Sequence, residues 1–292
     1  MGALQYGAPA ASMTDDAGFR AWVSALYTAI STVGGIVQTT DTGQINPATV
    51  VKPTATNTVA GYAMYRFNDA LQATKPVFLK IEWGVGGQNY WPSMWFTVGF
   101  ATNGAGALVG QQSTRMNHQN SNTQASSLAS YISSSPSRLS FAQCVGSMTV
   151  DYAYTWTFNL ERSRAIDGTE DGTGVYLWTN CGSTATCQFI PFTGAVFATI
   201  GYAPTMMHPG VSSAVFGTDT GVFPHLPYQG RWLNPLIGMV SYYRPDILAG
   251  SQFPVAHYGT NHNYLSLGLS MYYNLCALGG GPSSASMAII YE

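Results

Sequence analysis

The sequence predicts a mainly β protein, an antiparallel β-sandwich or jelly-roll-like fold with one N-terminal amphipathic helix and long loops rich in proline and aromatic residues. Apolar residues alternate with polar ones along several runs, which is the period of a half-buried strand. Gly, Asn, Asp and Pro clusters separate these runs, as turns separate strands. With 292 residues and 46% apolar content, the chain can bury a large core. We therefore predict a single β domain over residues 1–292.

One helix is predicted, within an N-terminal helical segment at 1–35. Thr14 precedes two acidic residues, and this composition is typical of a helix N-cap and first turn. Apolar residues then recur at spacings of three and four until two glycines end the pattern. The apolar stripe consists of Phe19, Val23, Leu26, Ile30 and Val33. Two heptads are too few to identify a coiled coil, so packing on a sheet is favoured and self-association through the stripe stays open.

A meander of three strands is predicted after a short strand at 36–40 and a polar loop at 41–58. The three strands are expected at 61–67, 77–85 and 95–100. In the second of them every other residue from Val77 onwards is apolar, whereas Lys80 and Glu82 lie on the opposite face. Connections this short favour antiparallel neighbours.

The most distinctive stretch is a long hairpin predicted at 149–179. From Val150 to Leu160 every second residue is apolar, which predicts a strand with one face in the core and one in water. The charged segment 161–171 follows, with Asp-Gly pairs that suit tight turns. We predict a solvated tip. Its D-x-T-x-D-G string at 167–172 matches the opening of a calcium loop, but the closing glutamate and the flanking helices are missing, so no metal site is predicted.

Two other segments differ from the strand-rich remainder. Residues 111–140 are polar and low in complexity, and we interpret them as a loop or as a seam between two halves. Residues 203–254 are crowded with proline and aromatic residues. Because proline lacks the backbone donor that a central strand needs, we predict that much of this segment is extended loop or sheet edge. We expect it to form an arm that packs on another subunit.

The content of charged residues is low. Asp, Glu, Lys and Arg make up 8% of the chain, against roughly 25% in an ordinary soluble domain. Interface cores are depleted of charge and enriched in aromatic residues and Met, so we expect a homo-oligomer, with a trimer as the first guess because closed symmetry is preferred. The alternative is a neutral extracellular β protein. The net charge of −2 and the scattered basic residues do not favour nucleic acid, and no apolar run suits a membrane helix or a secretory signal.

No catalytic constellation is evident. The G-x-S-x-G elbow of hydrolases is absent, and the histidines lie scattered in polar loops, apart from the weak metal hint of His257 and His262. Four carboxylates could serve a glycosidase only if two of them faced each other. They are Asp69, Glu82, Asp151 and Glu161. The four cysteines are too scattered for a disulfide framework. We expect no enzyme, no cofactor and no metal, and we expect buried free thiols.

Three stretches carry a resemblance. Residues 158–164 (FNLERSR) with the turn that follows resemble a recurring hairpin in structural proteins of tailed bacteriophages. Residues 15–22 (DDAGFRAW) together with 38–45 (QTTDTGQI), and residues 65–72 (YRFNDALQ), are similar to the beginning of such proteins. The resemblance implies a virion component, with no cofactor and no catalytic residues.

The function expected from these observations is that of a non-enzymatic virion structural protein of the tail, baseplate or fibre apparatus. Other virion proteins would be its partners. The alternatives are a peripheral receptor- or glycan-binding module, a capsid decoration protein, and a tailspike-like depolymerase. Exposed aromatic residues would make the contacts, including contacts with a host surface glycan. The candidates are Tyr90, Trp91, Phe223, Tyr228 and Trp232.

Overall fold

The computed structural model describes twelve stretches of the chain and divides it into two compact units, Met1–Leu139 and Ser140–Glu292. The described residues are 2–8, 15–87, 92–119, 128–145, 156–165, 167–181, 184–193, 198–200, 221–224, 237–243, 250–266 and 286–292. Strands dominate and their pairs are antiparallel, which confirms the mainly β, antiparallel fold class with one helix near the N-terminus. The expectation of a single domain stays a prediction.

The first unit contains the helix and the first seven strands. Its elements are β1 (Gly2–Ala8), α1 (Asp16–Val33), β2 (Val37–Gln38), β3 (Thr58–Arg66), a 3₁₀ helix (Ala70–Ala73), β4 (Phe78–Val85), β5 (Pro92–Gly99), β6 (Met116–Gln119) and β7 (Leu128–Ser135). Strand β8 (Arg138–Val145) begins in this unit and continues into the second.

The predicted meander is confirmed in the five-stranded sheet β2-β3-β4-β5-β6. All four of its strand pairs are antiparallel. The alternation along β4 also holds, because Leu79, Ile81 and Trp83 are buried whereas Lys80 and Glu82 are half-buried on the opposite face.

Helix α1 begins one residue later than predicted. Asp15, not Thr14, is the N-cap, and its Oδ1 accepts a hydrogen bond of 2.7 Å from the Gly18 backbone N–H. The predicted stripe is buried from Phe19 to Ile30. Trp22 joins the buried face although the spacing pattern omitted it.

Residues 111–140 are not simply a loop, as their polar composition suggested. Strands β6 and β7 lie within them, and β7 pairs with β1 over its whole length. The serines of β7 that supplied the polar composition are fully buried at positions 130, 133 and 134. The boundary between the two units falls at the end of this interval.

The second unit contains two groups of strands. Its elements are β9 (Trp156–Arg164), β10 (Glu170–Cys181), β11 (Thr184–Pro191), β12 (Ala198–Ile200), β13 (Gly221–Pro224), β14 (Met239–Tyr243), β15 (Gln252–His257), β16 (Thr260–Ser266) and β17 (Ser286–Ile290). Strands β8 to β12 follow one another in chain order, and the remaining five form a sheet ordered β13-β14-β17-β16-β15.

The predicted arm at 203–254 is only partly described, and the described parts are strands. Strands β13 and β14 pair with each other within the five-stranded sheet, and β15 begins at Gln252. Strands β13 and β15 are the two edges of that sheet, where proline is tolerated, and β14 lies inside it. The arm that packs on another subunit stays a prediction. The rest of 203–254 lies outside the described residues.

The hairpin predicted at 149–179 is present as β9 and β10, but the prediction for the faces of β9 is wrong. Phe158 and Leu160 are fully buried as expected, and so are Asn159 and Glu161 on the face that was expected to meet water. Both faces of β9 are thus covered. The polar face is possible in the interior because its members hydrogen-bond with one another and with the backbone of another segment.

Candidate functional site

The predicted interaction residues cannot be grouped into one surface. Tyr90, Trp91, Tyr228 and Trp232 lie outside the described residues. Phe223 lies in β13 at the register position opposite Ser241 of β14. The role of these five residues therefore stays a prediction.

The strongest polar constellation in the second unit is built around Glu161. One carboxylate oxygen accepts the Ile237 backbone N–H at 3.0 Å, and the other accepts the Gly238 N–H at 2.7 Å. The second oxygen also accepts from Asn159 Nδ2 at 2.8 Å, and Asn159 Oδ1 in turn accepts from Ser140 Oγ at 2.6 Å. An ionised carboxylate in the interior must be matched by donors, and three donors supply that match here.

Residues 237–238 fit this site closely. A Cβ atom on Gly238 would lie 2.0 Å from Asn159 Oδ1 and 2.5 Å from Glu161 Oε2, so only glycine can stand here. On the opposite side of the segment, the Tyr264 hydroxyl donates to the Ile237 carbonyl at 2.5 Å, and the Ile290 N–H donates to the Gly238 carbonyl at 3.0 Å. Glu161 therefore ties β9 to strands β16 and β17 through a single glycine-containing segment.

The calcium-like string at 167–172 lies where the chain passes from β9 into β10, and its two carboxylates accept hydrogen bonds from nearby residues. Asp167 Oδ1 accepts from the Thr169 N–H at 2.9 Å and from the Thr169 hydroxyl at 2.7 Å, which lowers the pKa of Asp167. Asp171 Oδ1 accepts from the Thr173 N–H at 2.9 Å and from the Ser163 hydroxyl at 2.5 Å. Asp167 and Asp171 are exposed as predicted. Glu161 and Arg162, by contrast, are fully buried, so the prediction of a solvated charged tip is wrong for them.

Two histidines meet on the hairpin formed by β15 and β16. His257 is 5% exposed, and among the described atoms its Nε2 has no hydrogen-bond partner. Its ring centroid lies 6.3 Å from that of His262 and 5.7 Å from that of Tyr264. Burial, assisted by His262, lowers the pKa of His257 to about 4. His262 Nδ1 lies 2.8 Å from Glu292 Oε1.

The first unit has its own buried carboxylate, Asp41. Its oxygens accept hydrogen bonds from Thr39 Oγ1 at 2.6 Å, from Thr102 Oγ1 and from the Gly106 N–H at 3.1 Å. Burial alone would raise the pKa of Asp41, but these hydrogen bonds outweigh it and hold the pKa below its usual value. Asp41 thereby joins the loop after β2 to the loop at 102–106.

The Tyr62 ring packs against Gly106, one of the residues that hydrogen-bond to Asp41. Gly106 has φ of 83°, and a Cβ atom there would lie 2.0 Å from the Tyr62 hydroxyl oxygen. The same hydroxyl donates to the Thr42 carbonyl. Glycine is therefore required both by backbone conformation and by space.

The outer face of β4 carries a compact charged and aromatic group. Glu82 binds Lys80 Nζ at 3.2 Å and Arg115 Nε at 2.9 Å. The Arg115 guanidinium lies 4.3 Å from the Trp95 ring centroid, and Lys80 Nζ lies 4.9 Å from that of Tyr62. Glu82 is thus ion-paired with two cations on this face of the sheet.

Sequence reasoning missed the two buried carboxylates for the same reason. Asp41 and Glu161 lie in polar stretches, where a carboxylate is usually solvated. One signal was present at Glu161, because it directly follows a run of alternating apolar residues that continues a strand. No periodicity could have shown that residues 237–238 would cover it.

The described residues contain neither a metal-ligand cluster nor a membrane-spanning helix. No group of three or more His, Cys, Asp or Glu side chains that could hold a metal occurs within them. Within the same described residues, no helix combines the length and hydropathy needed to cross a bilayer. Comparison of the sequence with protein-family models and with curated proteins finds no match.

Replacing the buried carboxylate by an amide tests the Glu161 constellation. In Glu161→Gln, the side-chain NH₂ turns a donor towards donors, so the free energy of unfolding should fall by about 1–3 kcal/mol. Glu170→Gln is the matched control, because Glu170 is half-buried and only 3.5 Å from Arg164, and it should cost about 1 kcal/mol or less. Urea titration followed by tryptophan fluorescence measures both, and equal losses would contradict the proposed role of Glu161.

Alanine substitutions at two glycines of one loop distinguish the cost of backbone strain from the cost of a steric clash. Gly104 has φ of 77° with nothing near its would-be Cβ, whereas Gly106 faces Tyr62. Gly104→Ala should cost about 1–2 kcal/mol for the left-handed backbone alone. Gly106→Ala should cost a further 1–3 kcal/mol or so for overpacking. Thermal unfolding of both variants provides the comparison, and Gly106→Ala being no worse than Gly104→Ala would refute the close packing on Tyr62.

Protonation of His257 should make stability fall in acid. Its folded pKa of about 4 lies below the ordinary value of 6.5, so the stabilisation is complete above pH 6.5 and is lost as the pH falls towards 4. The folding equilibrium constant should fall by up to about tenfold per pH unit in this window. In His257→Phe, stability should depend less on pH in this window. In His262→Gln, stability should still fall as the pH falls. Denaturation midpoints between pH 4 and 7 give the answer, and an unchanged slope in His257→Phe would count against it.

Proposed function

We propose that this chain is a non-enzymatic structural protein of a tailed-bacteriophage virion that works as a homo-oligomer in the tail, baseplate or fibre apparatus. The resemblance of three stretches to such proteins suggests the setting. The surface of the described residues supports the assembly.

The observation that carries the proposal is the distribution of charge. Within the described parts of the chain, the exposed charged residues are Asp15, Asp16, Arg115, Asp167 and Asp171. Other charged residues, Asp41, Arg138, Glu161 and Arg162, are buried. The exposed remainder consists mostly of Thr, Asn, Gln, Gly and Ala. A free monomer normally relies on interspersed surface charge for solubility, and a surface with so little charge suits one that neighbouring subunits cover.

The aromatic side chains do not add support within the described residues. Trp22, Trp83, Trp95 and Trp178 are buried, and no described Tyr or Trp side chain with an assigned exposure is fully exposed. Tyr90, Trp91, Tyr228 and Trp232 lie outside the described residues. They stay the candidates for an aromatic contact surface and for the stacking platforms of a glycan-binding module.

Native mass is the direct test of the assembly. Size-exclusion chromatography with light scattering at micromolar concentration should give a mass of two or more whole chains. Immunogold labelling of purified particles of the phage that encodes the protein should then mark the tail. A monodisperse monomer would overturn the assembly, and an oligomer absent from the particles would overturn the virion role. Binding of host polysaccharide that is lost in Trp91→Ala or Trp232→Ala would favour the glycan-binding module.

A further inference from the structure

Strand β1 pairs with a described strand along one edge only. It pairs antiparallel with β7 from Gly2 opposite Ser134 to Ala8 opposite Leu128, and no other described strand pairs with it. About half of the backbone N–H and C=O groups of β1 therefore point away from β7. Such an edge is a template for another strand unless it is protected.

The end of helix α1 lies over one face of β1. A Cβ atom on Gly2 would be 2.7 Å from the Val33 carbonyl oxygen, so the end of the helix lies on the side to which the even-numbered residues point. Leu4 is half-buried on that side. Gln5 points to the opposite face and is exposed.

Strand β1 also lacks the usual edge protection. Its sequence, GALQYGA, contains no charge and no proline, although charged residues and proline are the common devices against unwanted pairing. Seven residues are long enough for a continuous ladder.

Strand β15, one of the two edge strands of the five-stranded sheet in the second unit, carries a residue that hinders the addition of another strand. The two-residue turn Tyr258–Gly259 makes His257 and Thr260 a hydrogen-bonded pair, so the outward backbone groups belong to Gln252, Pro254 and Ala256. Pro254 has no N–H and interrupts the outward row. Proline thus interrupts the edge of β15, whereas the sequence of β1 contains no residue of this kind.

The sequence of β1 is nearly symmetric in side-chain size about Gln5. Two small residues, a large one, Gln5, a large one and two small residues follow in order. Pairing this strand antiparallel with an identical strand about Gln5 would place Leu4 opposite the partner subunit's Tyr6 and Gln5 opposite the partner subunit's Gln5. We propose that β1 binds β1 of a second copy of this chain in that register, across a twofold axis.

The pairing has consequences for symmetry. Both even-numbered faces lie on the same side of the joined strands, so the two α1 helices also lie on one side. This inference rests on the proposed homo-oligomer and names its contact. A twofold contact alone yields a dimer. Combined with the expected threefold ring, it gives a six-subunit dihedral assembly as the smallest closed form.

A charge swap at Gln5 tests the register. In Gln5→Lys, and separately in Gln5→Glu, like charges face each other across the axis, and the dissociation constant measured by analytical ultracentrifugation at low salt should rise about fivefold. An equimolar mixture of the two variants should regain wild-type affinity or exceed it, because opposite charges then meet. Gln252→Lys, on the exposed edge of β15, is the matched control and should leave the mass distribution unchanged.

Each outcome separates this inference from the proposed function. Oligomers that both Gln5 variants leave intact would refute the β1 contact but not the assembly. Weakening by both variants without rescue in the mixture would mean that β1 binds something other than its own copy. A monomeric wild-type protein would refute both proposals. Amide hydrogen exchange gives a second readout, since the outward N–H groups of β1 should become protected as the protein concentration rises.

Discussion

A carboxylate removed from water has to be surrounded by donors, and in the second unit this requirement joins segments that are far apart in sequence. Glu161 takes its donors from its own strand and from the backbone of Ile237 and Gly238. Those residues are in turn bound by Tyr264 and Ile290. Leaving a buried acceptor or donor unmatched costs more than a typical hydrogen bond gains, so the arrangement tolerates few alternatives.

The charged residues of this protein serve mainly its interior and its loops. Asp41 in the first unit and Glu161 in the second each organise backbone N–H groups, and Glu82 is ion-paired with two cations on the sheet face. Within the described residues, few charged side chains are exposed, and this surface is the basis of the proposed assembly.

The sequence predicted those parts of the fold in which one face of a strand or helix meets water. Strand β4 alternates in burial as its residues alternate in polarity, and α1 buries its stripe. The prediction failed where polar residues are buried, because Asn159 and the serines of β7 are read as solvated when their partners are unknown. The predicted N-cap was Thr14 and the observed one is Asp15. Local sequence could not separate them, because either side chain can accept hydrogen bonds from the first-turn N–H groups. The hydrogen bonds from residues 237–238 to Glu161 join segments far apart in sequence. No local sequence pattern predicts such a pairing.

The separation of Glu161 from its donors also has a consequence for synthesis on the ribosome. Gly238 follows Glu161 by 77 residues, so the carboxylate of a nascent chain has to remain hydrated until that later segment has emerged. In the first unit Asp41 finds its most distant donor after 65 residues, at Gly106. Each half of the polypeptide can therefore complete its polar interior only when most of its own length has been translated, and a chain released before residue 238 would keep the carboxylate face of β9 open to solvent.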